Sequence, residues 1–278
     1  MLPTFETLKL RADGPVLHVS IDAPPINMLG PELVKDLVDL ILEFDRGDEI
    51  SVAVFKSADP EFFISHVDVS KVAAYRREAA RLTGEASVGL LFRRLSETKV
   101  VTIAQVEGRA RGVGSEFALA CDMRFAAKET AIFAQFESAF GLTPGAGGIQ
   151  HLVRLMGRGR ALEALFTADD FDAELAERYG WVNRAVPAAE IDAFTKRMAR
   201  RIASFPPLAA AAIKRRVNAI ALANEDDFRI DSDMFGEAIR EPEVQRRMKL
   251  AFQRGFQTRD AELAFGEFVG RLDETAAE

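Results

Sequence analysis

Residues 106–148 carry the strongest pattern in the chain: VEGRARGVGSEFALACDMRFAAKETAIFAQFESAFGLTPGAGG. An apolar run at 100–106 precedes it without alternation, as expected of a strand buried on both faces. That strand stops at Glu107-Gly108. Gly112-Val113-Gly114 then lets the backbone take angles closed to other residues and lets a ligand come close. A helix is predicted at 115–121, so its unpaired N–H groups and positive dipole end point into the turn. An oxygen gaining negative charge would be stabilised there. A tight bend in which Gly114 serves only for packing is the other reading of the same residues. Two carboxylates, Glu116 and Glu137, follow, and a second glycine turn, Gly145-Ala146-Gly147-Gly148, closes the stretch. Paired carboxylates beside an anion-holding turn suit proton transfer. The spacing is not a dinucleotide fingerprint, because Phe117 stands where a third glycine belongs, and the second turn lacks the Lys-Ser/Thr of a phosphate loop.

Working outward, 5–10 and 16–21 read as a hairpin around Asp13-Gly14-Pro15. Pro31 opens a helix with Leu33, Val34, Leu37, Val38, Ile41 and Phe44 on one face. A short buried strand is predicted at 52–55, and a mostly helical stretch at 69–95 with Gly84 and Gly89 as weak points. Short strands follow at 124–126 and 132–134. From Gly145 onward the pattern is helical, apart from a strand at 181–186. Strand and helix units first and helices later predict an α/β core with a helical C-terminal part. Phe205-Pro206-Pro207 interrupts the helical pattern, dividing the chain into 1–205 and 206–278.

The 278 residues, 48% of them hydrophobic, suffice for a large core. A net charge of −7 disfavours nucleic acid as a partner. One cysteine, Cys121, forbids an intrachain disulfide and suits a reducing compartment. In ALACD it reads as a buried apolar residue; the rival reading, a nucleophile, needs a nearby histidine, and His18, His66 and His151 are distant in sequence. No apolar run is long enough to span a membrane, and the first ten residues show no secretory signal, so the expectation is a cytoplasmic protein with no membrane partner.

Several further motifs belong with the central one. Asp22-Ala23-Pro24-Pro25-Ile26-Asn27-Met28-Leu29 fits D-x-P-P-x-N-x-L, and Phe63-Ile64-Ser65-His66-Val67-Asp68 stands where F-S-A-G-x-D would. Gly112-Val113-Gly114-Ser115-Glu116 fits G-G-G-x-E. Phe133 to Glu137 and Gly141 to Gly148 fit F-x-x-P-E and G-x-x-P-x-x-G-G. In this order, over roughly residues 5 to 220, they resemble the crotonase, or enoyl-CoA hydratase/isomerase, superfamily. The resemblance implies a spiral of β-β-α turns and a helical C-terminal trimerisation region, in a homotrimer or a homohexamer made of two trimers. It implies an acyl-CoA thioester substrate, coenzyme A entering as part of it, and no metal or redox cofactor.

Carried over residue by residue, Glu116 and Glu137 are the catalytic glutamates. The backbone N–H groups of Val67 and Val113 form the oxyanion hole. Substrate or CoA contacts are implied for Asn27, Met28, Ser65 and Asp68, and for His66, Gly112, Gly114 and Phe136. Retention of both glutamates implies hydration of a 2-enoyl-CoA. The alternatives are other enolate chemistry on an acyl-CoA (isomerisation, hydrolysis or decarboxylation) and a non-catalytic acyl-CoA-binding oligomer. Three positions depart from the pattern. His66 replaces glycine, either as a tolerated loop residue or as a new polar contact near the thioester or acyl chain. Val113 replaces the middle glycine, and Phe136 replaces the proline before Glu137. The basic C-terminal element that helps hold CoA phosphates is also missing, with Lys249 and Arg254 as possible substitutes or plain surface charges.

Overall fold

In a computed structural model of the chain, which describes residues 4–272, ten strands form two sheets. The strands are β1 (Leu8–Asp13), β2 (Val16–Ile21), β3 (Val52–Ser57), β4 (Phe62–Ile64), β5 (Val101–Val106), β6 (Arg109–Arg111), β7 (Met123–Ala127), β8 (Ile132–Ala134), β9 (Phe171–Asp172) and β10 (Arg184–Val186). The larger sheet has the order β1-β2-β3-β5-β7-β10, and the smaller one β4-β6-β8-β9. Pairing is parallel except at β1–β2 and β8–β9. Each of β3, β5 and β7 is followed at once by a short strand in the second sheet, then by helix. This is the β-β-α spiral that the motifs imply.

The helices are α1 (Pro31–Arg46), α2 (Val72–Thr83), α3 (Val88–Glu97), α4 (Val113–Ala120), α5 (Gly148–Thr167), α6 (Ala173–Tyr179), α7 (Ile191–Ala203), α8 (Pro207–Ala221), α9 (Glu225–Ala238), α10 (Pro242–Gln253), α11 (Arg259–Leu263) and α12 (Phe265–Gly270). The predicted face of α1 is buried, and with it goes Asp36, whose carboxylate accepts hydrogen bonds from the Thr7 N–H (2.6 Å) and hydroxyl (2.8 Å). Burying that charge is tolerable because it is bonded.

Some boundaries differ from expectation. The first strand begins at Leu8 rather than residue 5, because the hairpin turn is only Gly14-Pro15 and the strand runs on to Asp13. The helical stretch 69–95 splits where Gly84 takes φ +78°, and Ser87 restarts the helix by capping the Leu90 N–H at 3.1 Å. Gly89 lies unbroken inside α3. The strand expected at 181–186 is reduced to Arg184–Val186.

The chain does break at Phe205-Pro206, between α7 and α8. The region beyond it nevertheless shares an apolar cluster with the core: Phe136, Phe140 and Leu142 pack with Val244, Met248 and Phe256. The last six residues of the predicted 206–278 segment lie outside the described residues.

Candidate active site

The site is built where two short connections meet. The first is β6 into α4. Gly112 takes φ +49° and ψ −122°, and α4 begins at the next residue. Gly114 has no freedom to be anything else, since a Cβ there would lie 1.9 Å from the Ile64 carbonyl oxygen. The start of α4 is thus pressed onto β4. Val113, as the first helical residue, has an N–H with no acceptor within its own helix.

The second connection leaves β4. Leu29 and Val67 form an isolated parallel bridge, in which the Leu29 N–H donates to the His66 carbonyl (2.8 Å) and the Asp68 N–H donates to the Leu29 carbonyl (3.2 Å). In such a bridge the N–H and C=O of Val67 itself face away from Leu29. Val67 and Val113 both line one cavity of about 50 Å³. That is room for a few water molecules or a small acyl group.

Both glutamates line the same cavity and both are buried. Glu116, on α4, reaches across to the second glycine turn, where its Oε1 accepts from the N–H groups of Ala146 and Gly148, each at 2.8 Å. Burial pushes its carboxyl up to about 7, against the pull of those two donors. Glu137 is held above the ordinary carboxyl range, first by burial and next by the charge of Glu116. Its side chain takes two long contacts, 3.4 Å each, from the Gln135 amide, and the backbone N–H groups of Glu137 and Phe136 pull its carboxyl the other way. The glycines let the carboxylates in: a Cβ on Gly148 would sit 3.1 Å from Glu116 Oε1, and one on Gly112 would sit 3.1 Å from Glu137 Oε1.

Of the other residues expected at the site, Gly112, His66 and Phe136 line the cavity. Four do not. Asn27 spends its amide on structure: its Oδ1 accepts from the Ala23 N–H at 2.7 Å, and its Nδ2 donates to Ser57 Oγ at 2.8 Å and to the Phe62 and Phe63 carbonyls at 3.3 Å. Asp68 caps the 3-10 turn Val69–Lys71 through the Ser70 N–H. Met28 is half-buried and Ser65 fully buried, both outside the lining, as is Gly114 beneath α4. His66 is not a loose loop residue: its ring is buried and bonded to Glu262. Cys121 is buried with its thiol pushed up to about 12 by desolvation, which leaves no thiolate for a nucleophile.

The sequence reading missed one whole wall. Phe235 of α9, Met248 of α10 and Phe256 close the cavity. Tyr75 and Arg76, from the basic stretch Tyr75-Arg76-Arg77 that the sequence offers as a solvated face or a CoA-phosphate contact, also line it. Tyr75 is buried there, and its hydroxyl has no partner among the described residues.

A β-β-α spiral that gathers two buried glutamates, Val67 and Val113 around one small cavity defines a crotonase-type fold. The comparisons agree. The family described as "Enoyl-CoA hydratase/isomerase" matches residues 11–257, and the chain belongs to it. It is 33% identical over 230 residues to the short-chain-enoyl-CoA hydratase of Clostridium acetobutylicum, covering 82% of this chain and 87% of that one. It is 31% identical over 234 residues to the crotonyl-CoA hydratase of Syntrophomonas wolfei, covering 84% and 89%. A crystal structure from Streptomyces avermitilis, assigned as an enoyl-CoA hydratase, superposes with a TM-score of 0.95 at 52% identity, covering 97% and 98%.

Proposed function

We propose that the chain is an enoyl-CoA hydratase that adds water across the 2,3 double bond of a short 2-enoyl-CoA. The observation that carries this reading is the gathering of Glu116, Glu137, Val67 and Val113 around one cavity. The thioester oxygen binds between the two N–H groups, where charge builds as water attacks C3. Glu116, with two N–H groups on one oxygen, is the ionised base that takes the water's proton. Glu137, poorly solvated and facing a charge, is the acid that protonates C2. Passage of a proton from Glu116 to Glu137 then resets the pair.

The chemistry calls for no metal or redox group, since coenzyme A enters with the substrate. The small cavity, walled by Phe235 and Met248, supports a short acyl chain. The exposed apolar side chains Leu208, Ile213, Val217 and Ile220 along α8 support assembly into the trimer that the family resemblance implies. A cytoplasmic setting fits the single buried cysteine, and among the described residues no helix is long and apolar enough to cross a membrane.

The test is steady-state hydration of crotonyl-CoA by Glu116→Gln and Glu137→Gln. Each is expected to lose about 100- to 10,000-fold in kcat, the usual contribution of a general acid or base. Undiminished turnover by either variant would remove that glutamate from the mechanism.

A further inference from the structure

His66 and Glu262 lie 196 positions apart, yet His66 Nε2 and Glu262 Oε1 meet at 2.8 Å with both side chains almost fully excluded from solvent. The His66 ring stacks on Phe256 (4.9 Å between centroids, 11° between planes) and meets Phe136 edge-on at 5.6 Å. Its other nitrogen, Nδ1, lies 2.8 Å from the Val67 carbonyl oxygen. A carbonyl only accepts, so Nδ1 carries a hydrogen. Nε2 is left to meet Glu262 Oε1.

This contact closes a ring of atoms: His66 Cα, its imidazole, the Val67 carbonyl and the backbone back to His66. The torsions inside it are the ones that aim the Val67 N–H. The Gln257 side-chain amide adds a second donor to the Val67 carbonyl at 3.0 Å, and the Gln257 N–H donates to Glu262 Oε1 at 3.1 Å. Glu262 also reaches the other donor. Its backbone carbonyl accepts from Arg111 Nη1 at 2.7 Å, two residues before Val113, and Arg111 is itself fixed by Asp170. One residue of α11 thus ties the connection that carries Val67 to β6, the strand that leads into Val113. Glu262 Oε2 has no partner among the described residues. A buried carboxylate half unsatisfied is costly to keep for packing alone.

We propose that Glu262 and His66 are positioning residues: Glu262 orients the His66 ring, the ring holds the Val67 carbonyl, and the Val67 N–H is thereby set for the thioester oxygen. The role rests on the hydratase reading above. It places a determinant of the oxyanion geometry in the C-terminal segment rather than in the spiral.

The experiment compares Glu262→Ala, Glu262→Gln and the double variant His66→Phe with Glu262→Leu, each assayed with crotonyl-CoA beside the wild type and each followed by thermal unfolding. Full loss of an oxyanion donor costs on the order of 100- to 1,000-fold, so a misaimed one in Glu262→Ala is expected to lower kcat about 10- to 100-fold with KM within about threefold. Gln keeps a hydrogen bond to Nε2 and is expected to recover kcat to within about fivefold of wild type. The double variant fills the same space with apolar groups and is expected to unfold no earlier than wild type, yet to keep the low kcat, because phenylalanine cannot grip the Val67 carbonyl. Wild-type kcat in the double variant, or a Glu262→Ala variant altered only in thermal stability, would overturn the proposal while the hydratase reading stands. A wild type that does not hydrate crotonyl-CoA sinks that reading instead. The same variants are then scored by the enolate absorbance of bound acetoacetyl-CoA, which needs only the two N–H donors: its loss in the double variant upholds the positioning role, and its persistence ends it.

Discussion

Two carboxyl groups buried in one small cavity cannot both be charged at little cost, and the residues around them decide which one is. Glu116 has the N–H groups of Ala146 and Gly148 at 2.8 Å each; Glu137 has long contacts to Gln135 and is raised by burial and by the charge of Glu116. If Glu116 is the base, as proposed, kcat/KM for crotonyl-CoA is expected to rise with pH through about 7, where burial puts its carboxyl. A rate independent of pH between about 5 and 9 would contradict the assignment. Stability runs the other way. A carboxyl at about 7 in the folded chain and near 4.5 when unfolded favours folding only while protonated. Its contribution is present below about 4.5 and is lost as pH rises through about 7. Denaturant midpoints should therefore fall between pH 5 and 8 in the wild type by more than in Glu116→Gln. Gly114 gives a third check at this scale. Alanine there would drive a methyl group into the Ile64 carbonyl, with an expected cost of about 3 kcal/mol. Gly159→Ala, with nothing within 4 Å, is expected to be neutral or stabilising by up to about 1 kcal/mol. Equal unfolding midpoints for the two variants would refute the close approach of α4 to β4.

Among the elements, the legible ones were those with a long period or an obligate residue. The face of α1, the unbroken apolar run of β5 and the glycines flanking Glu116 and Glu137 all announce themselves, because burial and close approach restrict what can stand there. β4 and β6, at three residues each, are too short to show any period, and they are the strands that present Val67 and Val113. The contacts of Glu262 and Phe256 depend on a chain return of nearly two hundred residues, for which local pattern carries no signal. Asn27 shows the converse: a motif residue found in sequence need not touch the cavity, since its amide can be consumed by the fold. The acyl wall belongs to this scale as well. Met248→Ala, which removes side-chain volume from α10 at the cavity, is expected to raise kcat/KM for an eight-carbon enoyl-CoA relative to crotonyl-CoA by about tenfold, the worth of one or two methylenes in an apolar pocket. An unchanged ratio would place the acyl chain elsewhere.

For the whole molecule, the spiral carries Val67, Val113, Glu116 and Glu137, and residues of the C-terminal helices close the cavity that they line. The same C-terminal region leaves α8 almost bare: Lys214 is the only buried residue along it, with Leu208, Ile213 and Ile220 well over half exposed. Such a face on a monomer is a liability that assembly removes. Light scattering on the purified protein is expected to give three or six times the 30.6 kDa chain mass, and a monomer at micromolar concentration would contradict assembly through α8. The measurement that bears most directly on the central claim is mass spectrometry of crotonyl-CoA incubated with the protein in H₂¹⁸O. The account expects an intact thioester carrying one ¹⁸O on C3 of the acyl group. Labelled free acid, or an unlabelled acyl-CoA with its double bond moved, would contradict it.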